Sequence, residues 1–381
     1  MIERKRFLVR TVTASDCLCE LPTLQPYTPA ALSLDVFIVA AGFEERVLEA
    51  PNRLRDDGIA VTGEILIGNY RTNLSDNQQR YEELAPTLAS FGAAMSGFDA
   101  DDPAEVVSVI TDALQRQPST ELHVGFDVSG ASSTLILAIM AALARFPQSI
   151  ALTVFYTTAQ TYDQPRSDGR ETLVLDDQRE TGISTEPLSA PFSGHHHDHL
   201  PVSVIALPSL YTDRLEACLA HLNVGPITGS ADNLYWLLPA TGADEHKWRQ
   251  NHTRNAVRDL MLRLQGREDE GTESEVIRAD DMETCDVLDY ADTTRRLVDR
   301  IDELPGRNIS IVHMGSKLQA IGVALAAAAR SEVAVLTVRP ASFNASKYSS
   351  GIGRTFVLHF PNLGTAVKAI ANIGTLEISC P

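Results

Sequence analysis

The chain has 381 residues, 44% of them hydrophobic and 22% charged, with a formal net charge of -18. That length suggests two domains at roughly 100–200 residues each, and the composition is that of a globular protein with apolar material for two cores. So acidic a chain repels nucleic acid over most of its surface, which argues against bulk nucleic-acid binding and confines any polyanion to a local basic pocket. The five cysteines, Cys17, Cys19, Cys218, Cys285 and Cys380, form no CxxC pair and no zinc spacing, as expected in a reducing compartment. Met1–Arg6 leads into too short an apolar run for a signal peptide. No stretch reaches the roughly 18 apolar residues of a membrane helix. The expected location is the cytoplasm, with no membrane partner.

Taken in order, Phe7–Val12 reads as a strand within an N-terminal extension. Asp35–Ala41 is continuously apolar, as a central parallel strand covered on both faces should be. It ends at Gly42, and a helix follows from Glu44. Strand Val61–Ile67 leads to a helix over Asp76–Phe91 with Ser75 as its N-cap. Strand Ala94–Phe98 leads to helix Asp102–Arg116, strand Glu121–Val128 to helix Ser132–Arg145, and strand Ile150–Tyr156 closes the set. A polar, Pro- and Gly-bearing stretch from Gln164 to Leu200 reads as a linker, with Thr172–Leu175 as a possible edge strand. The alternation then resumes. Strand Val202–Leu207 precedes helix Tyr211–His221. Strand Leu234–Leu238 precedes helix Asp244–Leu264 and the acidic loop Glu268–Gly271. Strand Val276–Arg278 precedes helix Asp289–Asp302, and strand Ile309–His313 precedes helix Lys317–Arg330. Strands Val333–Val338 and Thr355–Phe360 and helix Leu363–Asn372 complete the chain.

Strands alternating with helices of this length imply βαβ units with right-handed crossovers. The expected fold class is α/β: two tandem Rossmann-like parallel-sheet units related by internal duplication, a pseudo-dimer in one chain. The expected divisions are residues 1–30 (extension), 31–163 (first unit), 164–200 (linker) and 201–381 (second unit). Three matches in the same order carry the repeat. Arg46-Val47-Leu48-Glu49-Ala50 matches Arg214-Leu215-Glu216-Ala217. Asp99-Ala100-Asp101-Asp102 matches Arg278-Ala279-Asp280-Asp281. Gly130 and its helix match Gly315 and its helix.

Ligands of open α/β sheets bind outside the carboxyl ends of the strands. Four segments fall there. Gly42 permits a tight turn, and Arg46 is placed to face a phosphate. Asp127-Val128-Ser129-Gly130-Ala131-Ser132 joins a buried strand to a helix N-terminus, a natural anion cradle although no Walker A loop. His313-Met314-Gly315-Ser316-Lys317 is its counterpart, with a lysine in the first helical turn. Asn344–Arg354 mixes polar, aromatic and glycine residues as a binding loop does, with Tyr348 and Gly351 as candidates. Asn69 and Arg71, after the second strand, join the first-unit site. His195-His196-His197-Asp198-His199 has a metal-binding composition, but in a linker it reads as a solvated loop, so no metal or cofactor is expected. The chain has no G-x-S-x-G elbow and no G-x-G-x-x-G fingerprint.

The strand–Asp127-Val-Ser-Gly-Ala-Ser-Ser-Thr134–helix run resembles the strand–polar turn–helix signature of CRISPR-associated Rossmann-fold (CARF) domains, and the fused pair is similar to SAVED domains. That resemblance implies sensing of cyclic oligonucleotides in prokaryotic antiviral defence, with Ser129, Gly130, Ser132, Gly315, Ser316 and Lys317 contacting ligand phosphates. The chain departs from the family's usual Thr-Gly-Gly-Thr-Lys pattern and shows no fused effector. Three functions follow. One is a sensor of a nucleotide or other phosphate-bearing molecule. The second is a nucleotide-processing hydrolase, a phosphodiesterase or glycosidase, using Asp127, His313, Lys317 and Glu44 as acid, base or electrostatic groups. The third is a non-catalytic subunit with a protein partner, as in a defence complex.

Overall fold

The computed structural model describes residues 8–13, 18, 21–29, 32–71, 74–162, 190–224, 233–242, 247–264, 281–345 and 349–374, with short strands at Arg166–Ser167, Leu173–Val174, Glu180–Ile183 and Leu376–Ser379. Strands β1 (Gln25–Pro26), β2 (Ser33–Ala41), β3 (Ala60–Asn69), β4 (Ala94–Asp99), β5 (Glu121–Asp127) and β6 (Ser149–Tyr162) belong to the first sheet. The helices between them are α1 (Glu49–Asp56), α2 (Leu74–Ala89), α3 (Pro103–Arg116) and α4 (Ser133–Arg145). Strands β2 to β6 pair in parallel in the order β4-β3-β2-β5-β6. The centre is β2, whose residues Val36–Ala41 are all buried, as helices on both faces require.

The second sheet is wholly parallel and has the same order. It consists of β7 (Val202–Leu207), β8 (Leu234–Ala240), β9 (Met282–Asp286), β10 (Asn308–His313) and β11 (Ala334–Leu336), arranged β9-β8-β7-β10-β11. Its helices are α5 (Asp213–His221), α6 (Lys247–Leu264), α7 (Tyr290–Asp302) and α8 (Lys317–Ala329). Both units thus carry the strand order of a Rossmann-like half, with a switch point between the first and fourth strands. The expected tandem α/β architecture is what the chain adopts.

Two helices hold the units together. In α4 every residue from Thr134 to Leu143 is buried, and in α8 every residue from Leu318 to Ala327. A helix apolar all round needs cover on every side. Each packs on its own sheet and against the other, and one continuous core runs from Val36 and Phe126 of the first unit to Ile205 and Ile311 of the second. Both helices carry small residues into this core, among them Ala138 and Ala142 on α4 and Ala320 and Ala324 on α8.

Some expectations need correction. The strand expected to extend the second unit, Thr355–Phe360, is part of β12 (Ser349–Phe360), which pairs antiparallel with β6 and β1 in the first sheet. The chain therefore crosses back before α9 (Leu363–Ala371), which packs on α8, α4 and β6. The third strand of the second sheet is β9; Val276–Arg278 lies outside the described residues. Because Asp281 precedes β9, the counterpart of Asp99–Asp102 is Asp286–Asp289. The match is geometric. Asp99 Oδ1 accepts from Asp101 N (2.9 Å) as Asp286 Oδ1 does from Leu288 N (2.8 Å). Asp102 and Asp289 cap α3 and α7 with nearly the same backbone angles, φ -108 ψ 99 and φ -104 ψ 95. Ser75 lies inside α2, not at its cap. Leu173–Val174 pairs with Arg166–Ser167 in a hairpin of its own. Within the linker, His196 meets Ile309 O (3.2 Å) and Asn308 clasps the His197 backbone, so this run is docked on the start of β10. Among the described residues there is no metal-holding His, Cys, Asp or Glu group, and no helix is long and apolar enough to cross a membrane. The loop Glu268–Gly271 lies outside the described residues.

Candidate ligand-binding cleft

The carboxyl ends of both sheets open onto one cleft of about 1060 Å³ lined by residues of both units. Of the candidate residues, Gly42, Glu44, Arg46, Gly130, Ser132, His313, Gly315, Ser316 and Lys317 line it. Asp127, Ser129, Asn69, Arg71 and Gly351 are not in its lining, and Tyr348 lies outside the described residues. Arg71 is exposed and pairs with Asp99 (2.7 Å), and Asn69 bonds back to Ile67 O (3.3 Å). Gly351 has φ +71 on the outer part of β12 against Gln160, where its freedom serves the strand.

In the first unit the glycines serve chain packing. A Cβ on Gly42 would stand 2.8 Å from Gly130 O, and one on Gly130 would stand 2.7 Å from Ala40 O and 2.4 Å from Val47. The two turns therefore meet backbone to backbone and close the crevice at the switch point. Tyr70 seals the next donor. Its hydroxyl accepts from Ser132 N (2.7 Å) and donates to Gly130 O (3.2 Å). Ser132 Oγ caps α4 by accepting from Leu135 N (3.2 Å). Ser129 is fully buried; its hydroxyl donates to Asp127 Oδ1 (2.5 Å) and accepts from Thr157 N (2.9 Å). The expected phosphate contacts of Ser129 and of the Ser132 N–H are thus replaced by internal bonds.

The second unit closes its turn differently. Ser316 and Gln319 form a capping box: Ser316 Oγ accepts from Gln319 N (3.1 Å), and Gln319 Oε1 accepts from Ser316 N (2.9 Å). Ser316 Oγ also donates to Val287 O (2.6 Å). Gly315 makes room for this box, since a Cβ there would stand 2.4 Å from Gln319 Oε1.

A buried charge cluster lies between the turns. Both oxygens of Glu44 receive Arg46 Nη2 at 2.7 Å, and Ser349 Oγ donates to the same carboxylate. Burial pushes the Glu44 carboxyl up, but Arg46, Lys317 and Ser349 outweigh it and hold the group below its ordinary value. Lys317 reaches across the units to Ala131 O (2.6 Å); burial lowers its ammonium to about 8, against the pull of Glu44. Burial likewise lifts Asp127 to about 6, the Ser129 bonds opposing, and its Oδ2 meets no partner among the described residues. Arg339 of the second unit pairs with Asp101 of the first, and Thr134 Oγ1 meets Thr337 Oγ1 at 3.1 Å.

His313 stands apart. It is 1% exposed in the lining of the cleft, and neither ring nitrogen has a hydrogen-bond partner among the described residues. Burial pushes it down to about 3, Arg214 adding to the effect, so the imidazole is neutral at physiological pH. Leaving such a group unbonded costs about 1–3 kcal/mol.

Charge distinguishes the cleft from the rest of the surface. Its described lining has six cations (Arg46, Arg214, Arg249, Lys317, Arg339, Arg354) against the carboxylates Glu44, Asp101 and Asp286, in a chain of net charge -18. Aromatic groups add flat faces at the mouth, where the Arg249 guanidinium lies 5.0 Å from the Tyr162 ring. Tyr70, Gln319, Arg214 and Arg339 escaped the list of candidates. Gln319 had a readable signal in Ser-x-x-Gln, and Arg214 in its match to Arg46.

No family model matches the chain, and no curated protein matches it. Three solved structures are similar at low level. A type III CRISPR defence DNA nuclease activated by cyclic oligoadenylate shares 9% identity over 84% of this chain and 67% of its own, with a TM-score of 0.43. The cytoplasmic domain of a prokaryotic cation chloride cotransporter shares 8% identity over 81% of this chain and 96% of its own, with a TM-score of 0.24. A universal stress protein from Archaeoglobus fulgidus DSM 4304 shares 11% identity over 80% and 96%, with a TM-score of 0.22. Alignments this loose assign no role to any residue of the cleft.

Proposed function

We propose that this chain is a binding protein for a small phosphate-bearing ligand of the nucleotide class, held in the cleft between two Rossmann-like units that arose by internal duplication. The observation that carries this reading is the charge of the cleft. Six cations face three carboxylates there, in a chain whose overall charge would repel the same ligand. The position agrees, since ligands of such sheets bind beyond the strand carboxyl ends. The resemblance of Asp127–Thr134 to CARF domains, and of the fused pair to SAVED domains, adds cyclic oligonucleotides to the ligands worth testing, with a sensor's place in antiviral defence.

Binding is favoured over hydrolysis because the candidate acid–base groups are poorly placed or poorly tuned for proton transfer. Glu44 is ion-paired, Lys317 is bonded to Ala131, Asp127 lies outside the lining and His313 is held neutral. The test is a thermal-shift and calorimetric screen with AMP, ATP, cyclic di-AMP and cyclic tetra-adenylate. A ligand at 100 times its Kd stabilises the native state by about 2.7 kcal/mol. The shift should vanish in Arg249→Gln/Arg354→Gln. No shift with any of these at millimolar concentration would refute the reading. Turnover of a bound nucleotide would replace it with the hydrolase.

A further inference from the structure

Each unit brings one arginine to the cleft from a matching place, and the surroundings of the two differ. Arg46, after β2, donates to Thr157 O (3.2 Å) on the fifth strand of its sheet. Arg214, after β7, donates to Val338 O (3.5 Å) just past the fifth strand of the other. Two residues before Arg46 stands Glu44, which pairs with it; two residues before Arg214 stands Thr212. The fourth strand of the first unit ends at Asp127 and that of the second at His313. The second unit thus has a hydroxyl and an imidazole where the first has two carboxylates.

That imidazole is buried in the cleft lining, and its two nitrogens meet no hydrogen-bond partner among the described residues. Beside it, Gly315 carries no side chain, and a Cβ there would stand 3.2 Å from His313 Cε1, the carbon between the two nitrogens. Arg214 is near enough to act on the ring electrostatically.

We propose that His313 and Arg214 form an anion subsite for one phosphate group of the ligand, and that Glu44 closes the matching place in the first unit to anions. This deepens the phosphate-ligand reading and rests on it. The neutral imidazole donates its one N–H to a phosphate oxygen while the guanidinium supplies charge, and no covalent step is involved. A single subsite per chain fixes the ligand in one orientation. An anion beside the ring also favours its protonated form, so affinity rises as pH falls.

The experiment is calorimetry of the full chain with inorganic pyrophosphate, with AMP as a second probe. The wild type should bind one pyrophosphate per chain. His313→Leu and Arg214→Gln should each weaken binding by about tenfold or more, the loss of one hydrogen bond to a charged group. His313→Leu should at the same time raise Tm, which a merely structural histidine would not do. Glu44→Gln should raise the stoichiometry to two. Wild-type protein that binds neither probe would overturn the phosphate-ligand reading along with this subsite. Wild-type binding left within about twofold in both His313→Leu and Arg214→Gln would overturn the subsite alone, as would two pyrophosphates per wild-type chain.

Discussion

Acid should destabilise this protein in part through one imidazole, and His313→Leu isolates the effect. In the unfolded chain His313 titrates near 6.5; in the fold, burial first and Arg214 second lower it to about 3. The unfolded state therefore binds more protons across this window. The stability at stake is fully present above pH 6.5 and is lost as pH falls towards 3. Between pH 7 and pH 5 the loss comes to about 2 kcal/mol for a shift of this size. Leu has no proton to gain, so the variant should escape that loss. At pH 8 it should also be the more stable protein, because two buried nitrogens with no partner among the described residues are replaced by apolar surface, a gain of about 1–3 kcal/mol. Urea unfolding of both proteins from pH 5 to pH 8 measures both effects, with equal m-values as the check that the denatured state is unchanged. Parallel pH profiles, or a variant weaker than wild type at pH 8, would refute the reasoning and show that the nitrogens are bonded in solution.

Asp127→Asn tests the opposite sign: burial raises this carboxyl from 3.8 to about 6, so its ionisation destabilises the fold as pH rises through 6. The variant should gain on wild type by about 1 kcal/mol between pH 5 and pH 7 in the same urea series. Tyr70→Phe removes the hydroxyl that bridges Ser132 N and Gly130 O, at a cost of about 1–3 kcal/mol; hydrogen exchange should quicken at the Ser132 amide, and unchanged exchange would refute the clamp. Lys317→Met deletes the bond to Ala131 O, a loss of about 1.5–3 kcal/mol. It should also move Asp127 further upward, read by carboxyl NMR, since Lys317 helps to hold that group down.

Much of the architecture was written locally. Val36–Ala41 is apolar throughout because both faces are covered, and that pattern needs no partner to be read. The caps of α3, α7 and α8 are local in the same sense, a side chain meeting backbone two or three residues away, although the cap read from the sequence, Ser75, lies inside α2. What failed was long-range. In β9 only Cys285 is fully buried, so Met282–Asp286 has no apolar run to announce it. Nothing in Ser349–Phe360 encodes which sheet it joins; the choice depends on β6, nearly two hundred residues earlier. Which strand ends face the cleft was legible; which groups there are bonded internally was not. Gly42 reads as a tight turn and Gly130 as part of an anion cradle, yet each also makes room for the other. Tyr70 reaches a turn 62 residues away, for which one aromatic in a polar loop is no signal.

The two units agree where backbone meets backbone and differ where side chains meet the cleft. Strand order and the Asp99–Asp102 and Asp286–Asp289 turns recur, hydrogen bond for hydrogen bond. The closing groups do not: Tyr70 seals one helix turn and Gln319 the other, and Glu44 with Asp127 answers to Thr212 with His313. Core positions need only volume and apolarity, so the scaffold persists under substitution, while each charge at the strand ends changes what can bind. The same cleft holds the polar ties between units, Lys317 to Ala131, Arg339 to Asp101 and Thr134 to Thr337. On the proposed reading, an anion drawn into it would compete for Lys317 and Arg339, two cations that bond across the units. On that reading a change that loosens those ties should change the affinity for the anion, as linkage requires.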